Sequence, residues 1–169
     1  MQDSNKVPLI DQKYLRKIFK YKDGNLYWKT NKTTRNLIGK KVGTPTSGGY
    51  LNVMVDGINY RIHRLIYMMH YGEFPDVVDH IDGNRTNNKI ENLRQATVSQ
   101  NNFNTKMRID NSSGYKNISW SKDRNKWVVR IQANKKLHQW YVKDLELAEL
   151  VAIEARDKYH KQFSNHGVS

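Results

Sequence analysis

The stretch that decides the fold reads Val77-Val-Asp-His-Ile-Asp-Gly-Asn-Arg-Thr-Asn-Asn88, continued by Lys89-Ile-Glu-Asn-Leu-Arg-Gln-Ala-Thr97. Pro75 resets the chain ahead of Val77 to His80, and Ile81 to Asn88 is too rich in turn formers for regular structure. Ile90 to Leu93 follows, and then Thr97-Val-Ser-Gln100, where Thr97 and Gln100 match a capping box that starts a helix running to about Asn104. Asp79, Asp82 and the neighbouring asparagines offer hard oxygen donors, which suit magnesium, manganese or calcium better than zinc. A histidine beside such an ion can take a proton from water, because its pKa lies near neutrality. Adjacent strand residues point to opposite faces, so spacing leaves open whether Asp79 and His80 share a cleft. The loop lacks the alternate-position ligands and closing glutamate of an EF-hand. A loop whose asparagines satisfy only their own backbone is the competing reading.

Charge places this segment in context. The chain has 169 residues, with 29 Lys plus Arg against 16 Asp plus Glu and a net charge of +13. Between Glu73 and Asn92 five acids oppose Arg85 and Lys89, a balance of −3. Lys13 to Lys41 carries ten cations against Asp23, or +9, and Lys106 to Lys143 carries ten against two acids, or +8. Such a field most often meets nucleic acid, with an anionic membrane surface as the lesser option. Carboxylates kept inside a basic chain suit a protein that holds a metal ion against a polyanion, and a solvated acidic loop is the plainer alternative.

Composition excludes several classes. No apolar run approaches the roughly 20 residues of a membrane span, and Met1 to Lys6 lacks the pattern of a secretory signal. An intracellular, cytoplasmic protein is expected. The absence of cysteine rules out disulfides, thiol catalysis and Cys-ligated zinc.

Outward from the acidic stretch, Asp11 can cap a helix bearing Tyr14, Leu15, Ile18 and Phe19, which Lys22-Asp-Gly-Asn25 ends as a turn before a short strand at Leu26 to Trp28. Tyr50 to Val55 and Ile58 to Ile62 read as a hairpin about Asp56-Gly57, since both turn residues tolerate positive φ. His63 to Tyr71 reads as a short buried helix stopped by Gly72. Thr105 to Gly114 is almost free of apolar residues and reads as a connection. Beyond it, Tyr115 to Ser121, Trp127 to Ala133 and Leu137 to Val142 are strand candidates in a meander. Asp144 then caps a helix whose Ala148, Val151, Ala152, Ala155 and Tyr159 form one apolar stripe.

The ordered set Val77-Val-Asp-His-Ile-Asp-Gly-Asn84, Asn87-Asn88, Ile90-Glu-Asn-Leu-Arg94 and Gln100-Asn-Asn102 resembles the HNH nucleases of phage and intron homing type, whose ββα-metal fold is a hairpin and a helix. His63-Arg-Leu65 and Gly48-Gly-Tyr-Leu51 resemble the family's lead-in, so the likeness spans about residues 48 to 104. It implies that His80 is the general base activating water, that Asp79 and Asn101 ligate one divalent cation, and that Asn92 holds the loop and His80 in place. The third motif position is Asn101 rather than a second histidine, which favours Mg2+ or Mn2+; Asn102 is the competing ligand. The implied hydrolysis leaves a 5′ phosphate. Arg64, Arg85 and Arg94 are candidate phosphate clamps. His63, ahead of Arg64 at a strand-to-helix junction, could reach the same cleft, but anchoring a turn is the favoured expectation.

Gly114-Tyr-Lys-Asn-Ile-Ser-Trp120, Arg124-Asn-Lys-Trp-Val-Val-Arg-Ile131 and Ala148 to Phe163 resemble the Apetala2-type DNA-binding domain, over residues 114 to 165. That likeness implies a three-stranded sheet in the major groove, with Trp120, Lys122, Arg124, Trp127 and Arg130 touching DNA. Alternation puts Trp127, Val129 and Ile131 on one face and Val128, Arg130 and Gln132 on the other, so Trp127 is equally a candidate for the core.

The expected protein is therefore α+β: a basic N-terminal helix and hairpin region (1–47), a ββα-metal HNH nuclease domain (48–104), a linker (105–113) and a three-stranded antiparallel sheet packed on one helix (114–169). Its expected function is site-selective, homing-type cleavage of double-stranded DNA, phage-encoded within a bacterial host. A DNA-binding transcriptional regulator with an inactive nuclease domain is the alternative, and an RNA-binding protein ranks last for want of a recognisable stacking module.

Overall fold

The computed structural model describes residues 10–31, 36–105, 107 and 110–167. The opening segment Met1–Lys6 and the cations Lys32, Arg35, Lys106 and Arg108 of the basic flanks lie outside the described residues. The chain divides into two compact units, Met1–Ala96 and Thr97–Ser169, a division that falls ahead of the expected linker. Within them the described residues form mixed α and β structure, with four α-helices and several small antiparallel sheets.

In the first unit, helix α1 (Gln12–Ile18) starts at Asp11, whose carboxylate accepts a hydrogen bond from Tyr14 N at 2.6 Å. It is one residue shorter than its apolar spacing predicts, because Phe19 is already extended (φ −122°, ψ 149°) and opens strand β1 (Phe19–Lys22). β1 pairs antiparallel with β2 (Asn25–Trp28) across Asp23 and Gly24, both at positive φ. The register sets Phe19 against Trp28, with ring centroids 4.7 Å apart. β3 (Thr44–Pro45), β4 (Leu51–Val55) and β5 (Ile58–Arg61) make a second sheet, whose β4–β5 turn has the positive φ expected of Asp56 (51°) and Gly57 (82°). Helix α2 (Ile62–Tyr71) follows directly and ends at Gly72, left-handed at φ 74°. Its Ile62, Leu65, Ile66 and Met69 recur at helical spacing and join Leu15, Ile18, Phe19, Leu26 and Val55 in one core. Gln12 and Arg16 of α1 donate to the Met69 carbonyl at the end of α2, which satisfies an acceptor the helix leaves unpaired. Strand β6 (Val77–His80) then pairs antiparallel with β7 (Leu93–Ala96), and the intervening loop closes through a 3-10 turn at Ile90–Asn92.

The second unit begins with α3 (Val98–Phe103), whose N-terminus carries the full capping box between Thr97 and Gln100. β8 (Ile118–Ser121), β9 (Lys126–Ala133) and β10 (Lys136–Val142) form an antiparallel meander in the order β10-β9-β8. β8 begins later than its composition predicts, because Asn117 is left-handed (φ 71°) and breaks the run from Tyr115. Helix α4 (Leu145–His160), capped by Asp144, lays Ala148, Ala152 and Ala155 against Val129, Ile131 and Ile118. The small alanines let the helix approach the sheet closely, and that face of β9 becomes the core.

Candidate functional site

β6 delivers Asp79 and His80 to its last two positions, opposite Arg94 and Leu93 of β7. The two side chains take different partners, as strand alternation requires. Asp79 Oδ2 accepts from Arg94 Nε at 2.9 Å and Nη2 at 2.8 Å, an ion pair in which both side chains are largely buried. His80 is also buried; its Nε2 lies 2.8 Å from Asn88 Oδ1. The His80 ring stands 4.8 Å from the ring of His63 at the start of α2, and Tyr50 lies against both, at 5.3 Å from His63 and 6.1 Å from His80.

The loop after β6 is tied by Asn92. Its Oδ1 accepts from Asp82 N at 3.1 Å, and its Nδ2 donates to Asp82 Oδ1 at 2.9 Å and to the Asn87 carbonyl at 2.8 Å. Ile81 N donates to the Asn92 carbonyl at 2.9 Å, so one residue closes the loop through both side chain and backbone. Asp82 turns inward on its own segment, accepting also from Asn84 N and Asn87 Nδ2.

Burial sets the protonation states. Desolvation pushes His80 below its ordinary value, against the opposing pull of Asn88 and the carboxylates of Asp82 and Asp79, and so favours the neutral ring that a base needs. His63 falls further, to about 3, through burial first and then repulsion from the His80 ring when that is protonated and from the cations of Arg61 and Arg64. Burial works to raise Asp82, but hydrogen bonds from Asn87, Asn92 and Asn84 N outweigh it and hold the carboxyl below its usual range. Neutral imidazoles and an ionised carboxylate therefore coexist within one loop and its supports.

The other expected residues fall as follows. Arg85 is exposed on the loop, donates to the Gly48 carbonyl at 2.8 Å and places its guanidinium 4.9 Å from the Tyr50 ring. Arg64 donates to the Pro75 carbonyl at 2.9 Å and lies 4.2 Å over Phe74. Arg94 is occupied with Asp79. Asn101 belongs to the second unit, on α3, whose last turn is held there by Phe103 stacked on His160 at 3.9 Å and by Lys116 Nζ on the Phe103 and Thr105 carbonyls. On the sheet of that unit, Lys122, Arg124 and Arg130 are exposed, with Arg124 4.4 Å over Tyr141 and Arg130 donating to Ser119 Oγ at 3.0 Å. Trp127 packs partly against the α4 side of the sheet, and its ring meets the exposed Trp120 edge to face at 5.0 Å.

Three contributors went unassigned by the sequence reading: Asn88, which touches His80; His63, for which anchoring a turn was favoured over reaching the cleft; and Tyr50, which bridges the two imidazoles. For Asn88 a signal existed in the doubled asparagine after the loop. For His63 and Tyr50 the signal was the likeness of His63-Arg-Leu65 and Gly48-Gly-Tyr-Leu51 to the family's lead-in, which names no role because both reach the site from other elements.

Comparison with known proteins gives a family match over the segment that carries these residues. The HNH endonuclease family matches residues 60–103, which runs from β5 through α2 and the β6–β7 hairpin to the end of α3. Protein 3.8 of Escherichia phage T7 is 40% identical over 89 residues, covering 52% of this chain and 72% of that protein. An uncharacterized HNH endonuclease, L560, of Acanthamoeba polyphaga mimivirus is 45% identical over 62 residues, or 35% of this chain and 33% of its own length. No solved structure matches.

Proposed function

Because this chain belongs to one family with Protein 3.8 of phage T7 and carries an HNH endonuclease domain over residues 60–103, we propose that it is a site-selective, homing-type DNA endonuclease. The observation that carries the reading is His80: a buried imidazole held in its neutral form at the end of β6, next to a carboxylate and above a loop closed by Asn92. His80 takes a proton from water, the resulting hydroxide attacks phosphorus, and the bond to the 3′ oxygen breaks to leave a 5′ phosphate. Asn92 keeps His80 in place by fixing the loop that begins after it. HNH nucleases are generally divalent-metal dependent. Asp79 offers a carboxylate oxygen and Asn101 an amide oxygen, donors of the kind a hard cation takes. Mg2+ or Mn2+ bound by Asp79 and Asn101 would supply Lewis-acid stabilisation of the phosphate and the leaving oxygen. Arg94, paired with Asp79, orients that carboxylate and adds positive charge near it.

Double-stranded DNA is the substrate. Arg64, Arg85 and Arg94 clamp phosphates near the site, and an Apetala2-type sheet presenting Trp120, Lys122, Arg124, Trp127 and Arg130 reads the duplex. Support for the sheet's role comes from the exposure of its three cations and of Trp120 on one small meander. No helix among the described residues is long and apolar enough to cross a membrane.

The test is conversion of supercoiled plasmid to nicked or linear form by wild type with Mg2+, with EDTA, and by His80→Ala. Metal-dependent cutting by wild type alone is expected. Cutting by His80→Ala at the wild-type rate refutes the base assignment. Tight binding to phage or host genomic DNA without any cleavage replaces the nuclease by a DNA-binding regulator.

A further inference from the structure

His80 has two ring nitrogens, and a general base needs the one that carries a lone pair facing its water. The structure constrains the other. Nε2 stands 2.8 Å from Oδ1 of Asn88, and an amide oxygen only accepts, so that contact requires Nε2 to carry the proton. Asn88 is 2% exposed, and its Nδ2 has no hydrogen-bond partner among the described residues. A buried amide with one end unsatisfied calls for an explanation, and the contact of its other end with His80 offers one.

The segment that carries Asn88 is braced from the N-terminal hairpin. Gly24, at φ 78° in the β1–β2 turn, lies so close that a Cβ there would sit 2.8 Å from Lys89 N and 3.0 Å from the Asn88 carbonyl carbon. Tyr21 of β1 accepts at its hydroxyl from Ile90 N at 3.1 Å. From the other side, Asn92 Nδ2 holds the Asn87 carbonyl at 2.8 Å. Asn88 is thus fixed between two supports, one of them outside the residues that match the nuclease family.

We propose that Asn88 is a positioning residue that locks His80 in the Nε2–H tautomer, so that Nδ1 is the basic nitrogen, and that the β1–β2 hairpin holds Asn88 in register for this task. The tautomer is a property of the free protein; only its kinetic consequence rests on the reading of His80 as the base. A ring in the other tautomer presents a donor where an acceptor is needed, which is why tautomer control by a neighbouring group has large effects on rate.

The experiment is long-range nitrogen–proton correlation NMR on full-length, metal-free protein carrying 15N-histidine, with the His80 signal assigned by its loss in His80→Gln. The expected wild-type spectrum shows His80 protonated at Nε2 and not at Nδ1. Asn88→Leu, nearly the same shape without an acceptor, is expected to give a mixture of tautomers, with DNA binding retained and kcat lowered about 10- to 100-fold. Gly24→Ala, remote from the ring, is expected to move the His80 signal in the same direction. Far-UV circular dichroism and the His160 signal report whether the variants keep their fold. Finding Nδ1–H in wild type overturns the proposal without recourse to any variant, as does an Asn88→Leu spectrum in which His80 is unchanged. A wild-type protein that shows Nε2–H but cuts no DNA upholds the tautomer lock and refutes the nuclease instead.

Discussion

Acid should weaken the first unit through His63, by an amount that follows from its burial. The side chain is 3% exposed and its pKa falls from the ordinary 6.5 to about 3. The unfolded chain therefore binds a proton that the folded chain refuses, and stability declines as pH falls from 6.5 towards 3. At one proton per molecule the full slope is about 1.4 kcal/mol per pH unit. Between about pH 6.5 and about pH 4.5 the loss from this one group comes to about 2 kcal/mol, after allowing for half-protonation of the unfolded histidine at the upper limit. His80, also lowered by burial, adds a loss of the same sign in this unit, and His160 does so in the second unit. Asp82, whose folded pKa lies below 3.8, acts at more acidic pH and contributes little in this window. The assay is urea unfolding of wild type and His63→Gln at the two pH values. The variant is expected to be the less stable at pH 6.5, because Gln fills the ring's place poorly, but to lose about 2 kcal/mol less than wild type on acidification. Equal losses in the two proteins would refute the burial argument, since the proton uptake would then lie elsewhere.

Three further outcomes are expected. His80→Ala should abolish plasmid cleavage while leaving DNA affinity within about twofold in a mobility-shift assay, because the lost group takes part in chemistry rather than docking. Asn92→Ala removes three side-chain hydrogen bonds that close the β6–β7 loop and should cost about 2 kcal/mol in urea unfolding, together with most of the cleavage rate. Arg130→Ala on the exposed side of β9 should reduce the slope of log affinity against log salt by about 1 if that side chain meets a phosphate; an unchanged slope and affinity would remove it from the DNA interface.

Most elements were legible because their determinants are local. Asp11, Thr97 and Asp144 announce helix starts by side-chain capping, and all three cap in the structure. Asp56-Gly57 announces a hairpin because few other pairs tolerate two positive φ values in succession. The reading faltered where a distant partner decides. Phe19 fits a helix by spacing, yet pairing with Trp28 draws it into β1. Trp127 fits either face of its strand until α4 selects Val129 and Ile131 as core and draws the tryptophan partly with them. Arg94 was legible as a cation, but its ion pair with Asp79 comes from the β6–β7 register.

By itself, then, the sequence determined the chemistry available: a carboxylate and a histidine in tandem, an asparagine-rich loop behind them, oxygen donors in place of thiols, and cations on either side. Only the tertiary structure decided how that chemistry is tuned. The lowered pKa values of His63 and His80 arise from desolvation, which is a property of everything packed around a side chain. The partner of His80 Nε2 lies eight positions along the chain, at the end of a loop whose path is set by Asn92, Tyr21 and Gly24. Backbone preference acts over a few residues and can be read from them, whereas burial and hydrogen-bond geometry exist only once distant segments have met.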